Sequence, residues 1–139
     1  MTRINLVSPD ELMDQHLLAE WREIKMVPAS LRRSLKTKSI EQVLSSIPKE
    51  YVLGTGHVKF FFDKLTYLSN RYKELIYELL LRDFSLYHTS DFMDFCKDIP
   101  EVFFNDYNPT DNAKSVIRKR IDEKIKMRPD WYRKTNKIN

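Results

Sequence analysis

The sequence predicts an all-α fold, in a single compact domain that covers residues 1–139. Only two glycines and six prolines interrupt the 139 residues. Three long stretches carry apolar residues at the three- and four-residue steps of an amphipathic helix. Chains of about 100 to 150 residues are the commonest domain size, and 42% apolar with 32% charged residues is typical of a globular protein. We therefore expect three main helices around one core.

The first helix is predicted over Leu12–Lys25, with its start marked by the residues just before it. Ser8 is a suitable N-cap, Pro9 suits the first helical position, and Glu11 completes a Ser-x-x-Glu capping box. We expect one face of this helix to enter the core through Leu17, Trp21 and Ile24.

A less regular region separates the first helix from the next long one. Pro28 should bend or restart the helix, and Ala29–Lys38 is predicted as a short helical piece with Arg32 and Arg33 exposed. A polar connection follows. Gly54–His57 indicates a flexible turn, but it lacks the preceding strand, the third glycine and the lysine of a phosphate-binding loop. The apolar segment Val58–Phe62 should pack against the core.

Two further long helices complete the predicted core. Asp63–Arg82 is the central helix, since its apolar residues recur at helical spacing. The third helix begins near Asp111 and ends at about Met127, because Pro129 prevents its continuation. The expected core faces consist of Leu65, Leu68, Tyr72, Leu75, Ile76 and Leu79 in the central helix and of Ala113, Ile117, Ile121 and Ile125 in the third.

Charge is distributed unevenly along the chain, although the net charge is only +4. Asp83–Asp111 contains seven acidic residues and one basic residue, whereas Lys114–Lys137 contains ten basic and three acidic residues. Arg120 and Lys124 lie four residues apart and Arg128 follows at twice that step, which places them together as a basic ridge. Such a ridge can bind a phosphate backbone, although it is also compatible with a simple solvated surface.

The first helix carries two polar rows. Residues seven apart are nearly eclipsed on an α-helix, so Gln15 lies above Arg22 and His16 lies above Glu23. A surface helix always has a polar face, and by itself this pattern also fits an ordinary solvated one.

The start of the chain offers a candidate nucleophile. Met1 is removed when the next residue is small, and Thr2 would then expose an α-amino group. The unperturbed pKa of such an amine is about 7.7 to 8.0, so part of it is neutral at pH 7 and able to form a Schiff base. Many proteins begin with Met-Thr without using the amine, so this feature alone is a weak signal.

Taken together, these residues resemble a known family of DNA repair enzymes, the pyrimidine-dimer DNA glycosylases of T-even bacteriophage type, also called endonuclease V. The resemblance spans essentially the whole chain, and its motifs agree in order and spacing. The segments that carry it are Met1–Leu6, Asp14–Leu17, Ala19–Glu23, Gly54–Phe61, Arg120–Ile125, Arg128–Pro129 and Trp131–Tyr132.

The resemblance implies a fold and a mechanism. It implies three main helices with an extended N-terminal segment threaded between them, and a bifunctional glycosylase and abasic-site lyase that excises ultraviolet-induced cyclobutane pyrimidine dimers. The Thr2 amine would attack the anomeric carbon of the damaged nucleotide and leave a covalent imine, while the carboxylate of Glu23 stabilises positive charge on the sugar. The imine then permits β-elimination, which cuts the strand.

The resemblance also assigns residues to the DNA surface, where the family kinks the duplex and expels the base opposite the lesion. We group Arg22 with the catalytic pair, and we add Lys25 and Arg128 as DNA-binding residues. The chain departs from the family pattern at Met26, where the family has an arginine, and in the tail at Lys134–Asn136. The residues implied in DNA contact or in positioning around the lesion are Arg3, Gln15, His16, Arg22, Arg120 and Lys124.

The expected partner is double-stranded DNA containing pyrimidine dimers or abasic sites, bound by a monomer in the cytoplasm. No apolar run reaches the roughly 18 residues of a membrane span, and the start lacks a secretory signal. Cys96 is the only cysteine and the three histidines are scattered, so we expect no disulfide, metal or cofactor.

Two alternative functions remain open. The first is a non-catalytic helical duplex-DNA-binding module, as would follow if Met1 were retained. The second is a metal-dependent nuclease, which the lack of a carboxylate cluster disfavours.

Overall fold

The all-α class is confirmed by a computed structural model that describes residues 3–138, in which every regular element is helical. Met1, Thr2 and Asn139 lie outside the described residues. Three short 3₁₀ turns accompany the α-helices: Pro9–Glu11 precedes the first of them, and Phe92–Cys96 and Glu101–Phe103 lie between the last two. The α-helices are α1 (Asp14–Glu23), α2 (Met26–Leu35), α3 (Ile40–Ser45), α4 (His57–Phe60), α5 (Leu65–Leu81) and α6 (Asp111–Met127).

The two C-terminal long helices agree with the prediction. The central helix is α5, and α6 has the expected bounds, with the Thr110 side chain accepting a hydrogen bond from the backbone N–H of Ala113 at its start. The predicted core residues of both helices are buried, except Ile76 and Ile125, which are only partly buried. The predicted core residues Leu17, Trp21 and Ile24 of the first helix are buried. Helix α1 packs against α5, which lies at the centre of the fold. No helix within residues 3–138 is long and apolar enough to cross a membrane.

The predicted start of the first helix is wrong. Pro9–Glu11 forms a separate 3₁₀ turn, Ser8 makes no side-chain cap, and α1 begins only at Asp14. The carboxylate of Glu11, which a capping box would direct to the backbone of Ser8, instead accepts two hydrogen bonds from the Arg118 guanidinium at 3.0 and 2.6 Å. A tertiary ion pair has replaced the local cap.

The end of the first helix also differs from the prediction, because a turn at Ile24–Lys25 divides the region into α1 and α2. The restart expected near Pro28 is present, but α2 begins at Met26, so Pro28 lies in its first turn. Backbone N–H groups in a first turn have no intrahelical partner, and a proline is therefore tolerated there.

One arginine of α2 is less exposed than predicted. Arg33 is exposed as expected, but Arg32 is half-buried. Its guanidinium donates to the carbonyl oxygens of Phe95 at 2.7 Å and Lys97 at 3.2 Å. Arg32 therefore joins α2 to the turn Phe92–Cys96.

The N-terminal segment, residues 3–7, runs through the interior between helices. Ile4, Asn5, Leu6 and Val7 are all buried, and side chains of α1, α4 and α5 donate or accept hydrogen bonds along the segment. The threaded N-terminus implied by the family resemblance is thus present over the described residues.

The C-terminal tail, residues 131–138, is held along the start of α1 and the end of α5. The backbone N–H of Asp14 donates to the Arg133 carbonyl at 2.7 Å, and the N–H of Ile138 donates to the Leu81 carbonyl at 2.7 Å. The Asp14 carboxylate accepts from the Thr135 hydroxyl at 2.5 Å and from the buried Arg82 at 3.0 Å. These contacts fix the tail beside α1, where it can help to form a site.

Candidate active site

A cavity of about 320 Å³ lies where the N-terminal segment, α1, α6 and the tail meet. Four residues proposed from the sequence, at positions 3, 16, 23 and 124, line it together, although they are far apart in the chain. A larger cavity elsewhere, of about 580 Å³, is lined by none of the proposed site residues. The residues lining the 320 Å³ cavity are Arg3, Asn5, His16, Ala19, Glu20, Glu23, Lys124 and Tyr132.

Two carboxylates of α1 border the cavity, and their environments differ. Glu20 is only 1% exposed, and its oxygens accept hydrogen bonds from Asn5 and Arg71. Glu23 is half-buried and has no ion pair among residues 3–138. Because the lone pairs of Glu20 are already used in the interior, Glu23 is the carboxylate available to a bound molecule.

Positive charge surrounds Glu23 in the cavity. Arg3 and Lys124 line it, and Arg120 lies close enough to influence Arg3. Burial, followed by the charge of Arg120, lowers the pKa of the Arg3 guanidinium, and Glu23 partly offsets this effect. Cations in such an arrangement can bind a phosphodiester. The carboxylate between them can still stabilise positive charge that develops on a bound molecule.

His16 forms part of the cavity wall beside the tail. Its ring stacks on Tyr132, with ring centroids 4.7 Å apart and planes inclined by 20°. Burial lowers the pKa of the imidazole, and the charges of Arg3 and Lys124 lower it further. Both ring nitrogens are buried without a hydrogen-bond partner among the described residues. Among the described residues, stacking on Tyr132 and not hydrogen bonding therefore holds the ring in the cavity wall.

The other proposed residues lie outside the cavity. Gln15 is engaged by the tail, since its amide donates to the Trp131 carbonyl at 2.6 Å and accepts from the Arg133 N–H at 3.1 Å. Arg22 is exposed on α1, and Arg128 lies over the Trp131 ring at 4.5 Å. Lys25 borders a separate cavity of about 470 Å³ together with Met26 and Phe95. These contacts leave the charges of Arg22, Lys25 and Arg128 at the surface, whereas the Gln15 amide is occupied.

Thr2 lies outside the described residues, but the segment that follows it is firmly held. The N–H of Ile4 donates to the His57 Nε2 atom at 2.8 Å, and the Tyr51 hydroxyl donates to the Ile4 carbonyl at 2.8 Å. Arg71 donates to the Val7 carbonyl at 2.6 Å and is paired with Glu20 at 2.6 Å. The segment next to the proposed nucleophile is therefore fixed in the interior of the protein.

The residues that anchor this segment, Glu20, Tyr51, His57 and Arg71, were not predicted from the sequence, although one signal was present. Arg71 lies three residues after Leu68 and four before Leu75, so helical spacing places it on the buried face of α5. Glu20 likewise lies three residues after Leu17 and four before Ile24, which places it on the buried face of α1. Charged residues of opposite sign on two buried faces indicate an internal ion pair. Tyr51 and His57 had no comparable signal, because they become partners only through tertiary packing.

The described part of the chain contains no cluster of three or more His, Cys, Asp or Glu side chains able to hold a metal ion. The charged side chains that line the cavity are those of Arg3, Lys124, Glu20 and Glu23.

The chain is also similar to a known protein family. The family model described as pyrimidine dimer DNA glycosylase matches residues 1–92 of the 139. The match includes the N-terminal segment, α1 with Glu23, and the anchoring residues Tyr51, His57 and Arg71. The family acts on DNA that contains pyrimidine dimers and has a role in DNA repair. The chain belongs to the pyrimidine dimer DNA glycosylase family.

Proposed function

We propose that this protein is a bifunctional enzyme that removes the damaged base and then cuts the DNA strand, using the α-amino group of Thr2, after removal of Met1, and the carboxylate of Glu23. It acts as a monomer on double-stranded DNA with pyrimidine dimers or abasic sites, in the cytoplasmic compartment that holds this DNA. The observation that carries the proposal is that Arg3, the residue next to Thr2, and Glu23 line one cavity.

The first step is attack by the lone pair of the Thr2 amine on C1′ of the damaged nucleotide. The glycosidic bond breaks, and its electron pair leaves with the base. Positive charge develops on the sugar in this step, and the Glu23 carboxylate stabilises it. The attacking nitrogen loses one proton to the departing base. Its lone pair then forms the C1′–N double bond as the electron pair of the C1′–O4′ bond moves to O4′, which takes a proton from water, and a protonated imine joins Thr2 to C1′.

The second step is β-elimination. The imine makes the C2′ proton more acidic, and we propose that Glu23 accepts this proton. The electron pair of the C2′–H bond forms a carbon–carbon double bond as the 3′ phosphate leaves. Strand cleavage by this route requires neither attack on phosphorus nor a metal-bound water.

The remaining proposed residues bind and position the DNA. Arg3, Arg120 and Lys124 surround the cavity with positive charge, and His16 supplies unpaired ring nitrogens. Arg22, Lys25 and Arg128 extend the basic surface, which is suited to phosphate contacts. Gln15 contributes by holding the tail against α1.

A trapping experiment tests the covalent step. The protein is incubated with dimer-containing or abasic duplex in the presence of borohydride, which reduces an imine to a stable amine. We expect a covalent protein–DNA adduct that peptide mass spectrometry locates at Thr2. An adduct at Lys124, the lysine in the cavity, would mean that this lysine and not Thr2 supplies the attacking amine.

The same experiment separates the two alternative functions. A duplex-binding module would retard the DNA but form no adduct and release no base. A metal-dependent nuclease would lose strand cleavage when a chelator is added. We expect cleavage to persist with chelator and to produce the unsaturated sugar end of β-elimination.

Met26 offers a test of the basic surface, since it replaces the arginine of the family pattern and is 43% exposed beside Lys25. Met26→Arg should bind duplex DNA severalfold more tightly, because a guanidinium can contact a phosphate. Each added phosphate contact steepens the dependence of log K on log salt by about 0.9. Binding isotherms at several salt concentrations measure both effects.

The matched control is Leu80→Arg, which adds the same charge at a residue of α5 that is 47% exposed and lines none of the cavities near the site. It should change affinity and salt dependence much less. Equal effects of the two substitutions would mean that net charge alone, and no contact near Lys25, controls binding.

A further inference from the structure

We propose that His57 is a positioning residue that anchors the N-terminal segment so that the Thr2 amine is directed to the Glu23 cavity. The inference rests on the proposed function, because it assigns a role in presenting the same amine. The observation that carries it is the hydrogen bond from the Ile4 backbone N–H to the His57 Nε2 atom, at 2.8 Å, in the interior of the protein.

The contacts of His57 define which ring nitrogen carries the proton. Nε2 must accept, since its partner is a backbone N–H, and Nδ1 lies 2.8 Å from the Val52 carbonyl oxygen, to which it must donate. The ring is only 2% exposed, and it packs edge-on against Tyr51 and Phe61. Both nitrogens of a neutral imidazole are thereby satisfied in one orientation.

The glycine-containing turn before α4 explains how His57 reaches this place. Gly54 and Gly56 adopt φ values of 73° and 93°, a backbone conformation that residues with a side chain rarely adopt. A Cβ atom on Gly56 would also approach Pro48 at 3.3 Å and Val52 at 3.4 Å. The turn brings Val52 and His57 close together and starts α4 at the histidine. The Gly-x-Gly-His motif is thus an anchor for the chain rather than a phosphate loop.

Further contacts hold the same segment on its other sides. Tyr51 donates to the Ile4 carbonyl, so both backbone polar groups of Ile4 are bound. The backbone and side chain of Asn5 donate to Glu20, at 3.1 and 2.8 Å. Leu6 has a φ of 58°, in the left-handed region that a leucine rarely occupies. Such a conformation persists only where its surroundings hold it, and the residues on both sides of Leu6 are hydrogen-bonded: Asn5 to Glu20 and the Val7 carbonyl to Arg71.

The residue that His57 anchors, Ile4, lies only two positions from Thr2 in the sequence. Consecutive Cα atoms are 3.8 Å apart, so binding Ile4 limits the space available to Thr2, two residues away. A nucleophile must be held close to the reacting carbon, and misplacement by about 1 Å can reduce a rate on the order of 100-fold. His57 is well placed to provide this restraint, since Ile4 is the first residue of the segment that is completely buried.

The test is His57→Phe, which retains an aromatic ring but removes the acceptor. The imine with abasic duplex is trapped by borohydride under single-turnover conditions, and the dissociation constant for the same duplex and the melting temperature are measured in parallel. We expect the trapping rate to fall on the order of 100-fold with little change in DNA affinity. His57→Gln, whose side-chain oxygen can replace Nε2 as acceptor, should recover most of the rate.

Tyr51→Phe serves as the second variant, because it removes one hydroxyl from the same anchor and leaves the ring in the core. It should slow imine trapping less than His57→Phe does and leave the DNA affinity unchanged. This variant still tests the anchor if His57→Phe does not fold. Normal trapping by folded His57→Phe or by Tyr51→Phe would overturn the role of the anchor while leaving the Thr2 mechanism intact. Failure of the unmodified protein to form any adduct would overturn the Thr2 mechanism and this inference with it.

Discussion

Glu23→Gln should abolish base release while the protein still binds damaged DNA. The substitution retains the size of the side chain but removes the negative charge that faces the developing positive charge on the sugar. Removal of a single preorganised electrostatic group from an active site typically costs roughly 100- to 1,000-fold in rate. We therefore expect single-turnover base release to fall by at least about 100-fold. The cyclobutane ring keeps the detached base joined to its neighbour, so the direct measurement is the free base that photoreversal of the dimer liberates after the reaction.

Glu20→Gln is the matched control, since it makes the same chemical change three residues away in the same helix. The oxygens of Glu20 are bound to Asn5 and Arg71 in the interior, whereas Glu23 lines the cavity without an ion pair in the described part of the chain. Glu20→Gln should lower the free energy of unfolding, and Glu23→Gln should leave it almost unchanged. If Glu23→Gln turns over normally, another group must stabilise the sugar cation.

The long helices could be predicted from the sequence because they have strong apolar periodicity. The core positions of α5 and α6 repeat over 17 residues each, and no competing local signal interrupts them. The shorter helices were harder to predict. Ser39 and Gln42 form a reciprocal capping box at the start of α3, but this helix has six residues and buries only Val43, so its apolar pattern is too short to recognise.

The capping boxes show why a local motif can mislead. Ser8 and Glu11 have the same spacing as Ser39 and Gln42, yet only the second pair caps a helix. Glu11 pairs with Arg118, 107 residues later in the chain. Such a partner cannot be inferred from local spacing, because it depends on where α6 packs.

The proposed site was predictable only in part. The seven-residue spacing places His16 and Glu23 on one face of α1, and both line the cavity. Gln15 has the same spacing to Arg22, but the tail occupies its amide. The periodicity of a single helix specifies which side chains share a face. Only the tertiary structure decides which of them have no partner within the protein.

Arg71→Met should strongly destabilise the fold, because it leaves the Glu20 carboxylate buried without its cation. Arg71 and Glu20 are 3% and 1% exposed, and two guanidinium nitrogens contact the carboxylate at 2.6 and 3.0 Å. Burial alone lowers the pKa of Arg71, but the charge and hydrogen bonds of Glu20 outweigh it and give a net increase. Removal of one member of a buried pair costs roughly 3–5 kcal/mol. Urea unfolding measures this loss.

Arg118→Met is the appropriate comparison, since it removes an arginine that also makes two hydrogen bonds to a glutamate but at the surface. Exposed ion pairs contribute about 0–1 kcal/mol, so the midpoint of unfolding should move little. Adding Glu20→Gln to Arg71→Met should recover part of the lost stability, because the unpaired charge is then gone. If Arg71→Met and Arg118→Met destabilise equally, the internal pair is not what holds Val7 and Asn5 in place. The threading of the N-terminal segment would then depend mainly on the burial of Ile4 and on the contacts of Tyr51 and His57.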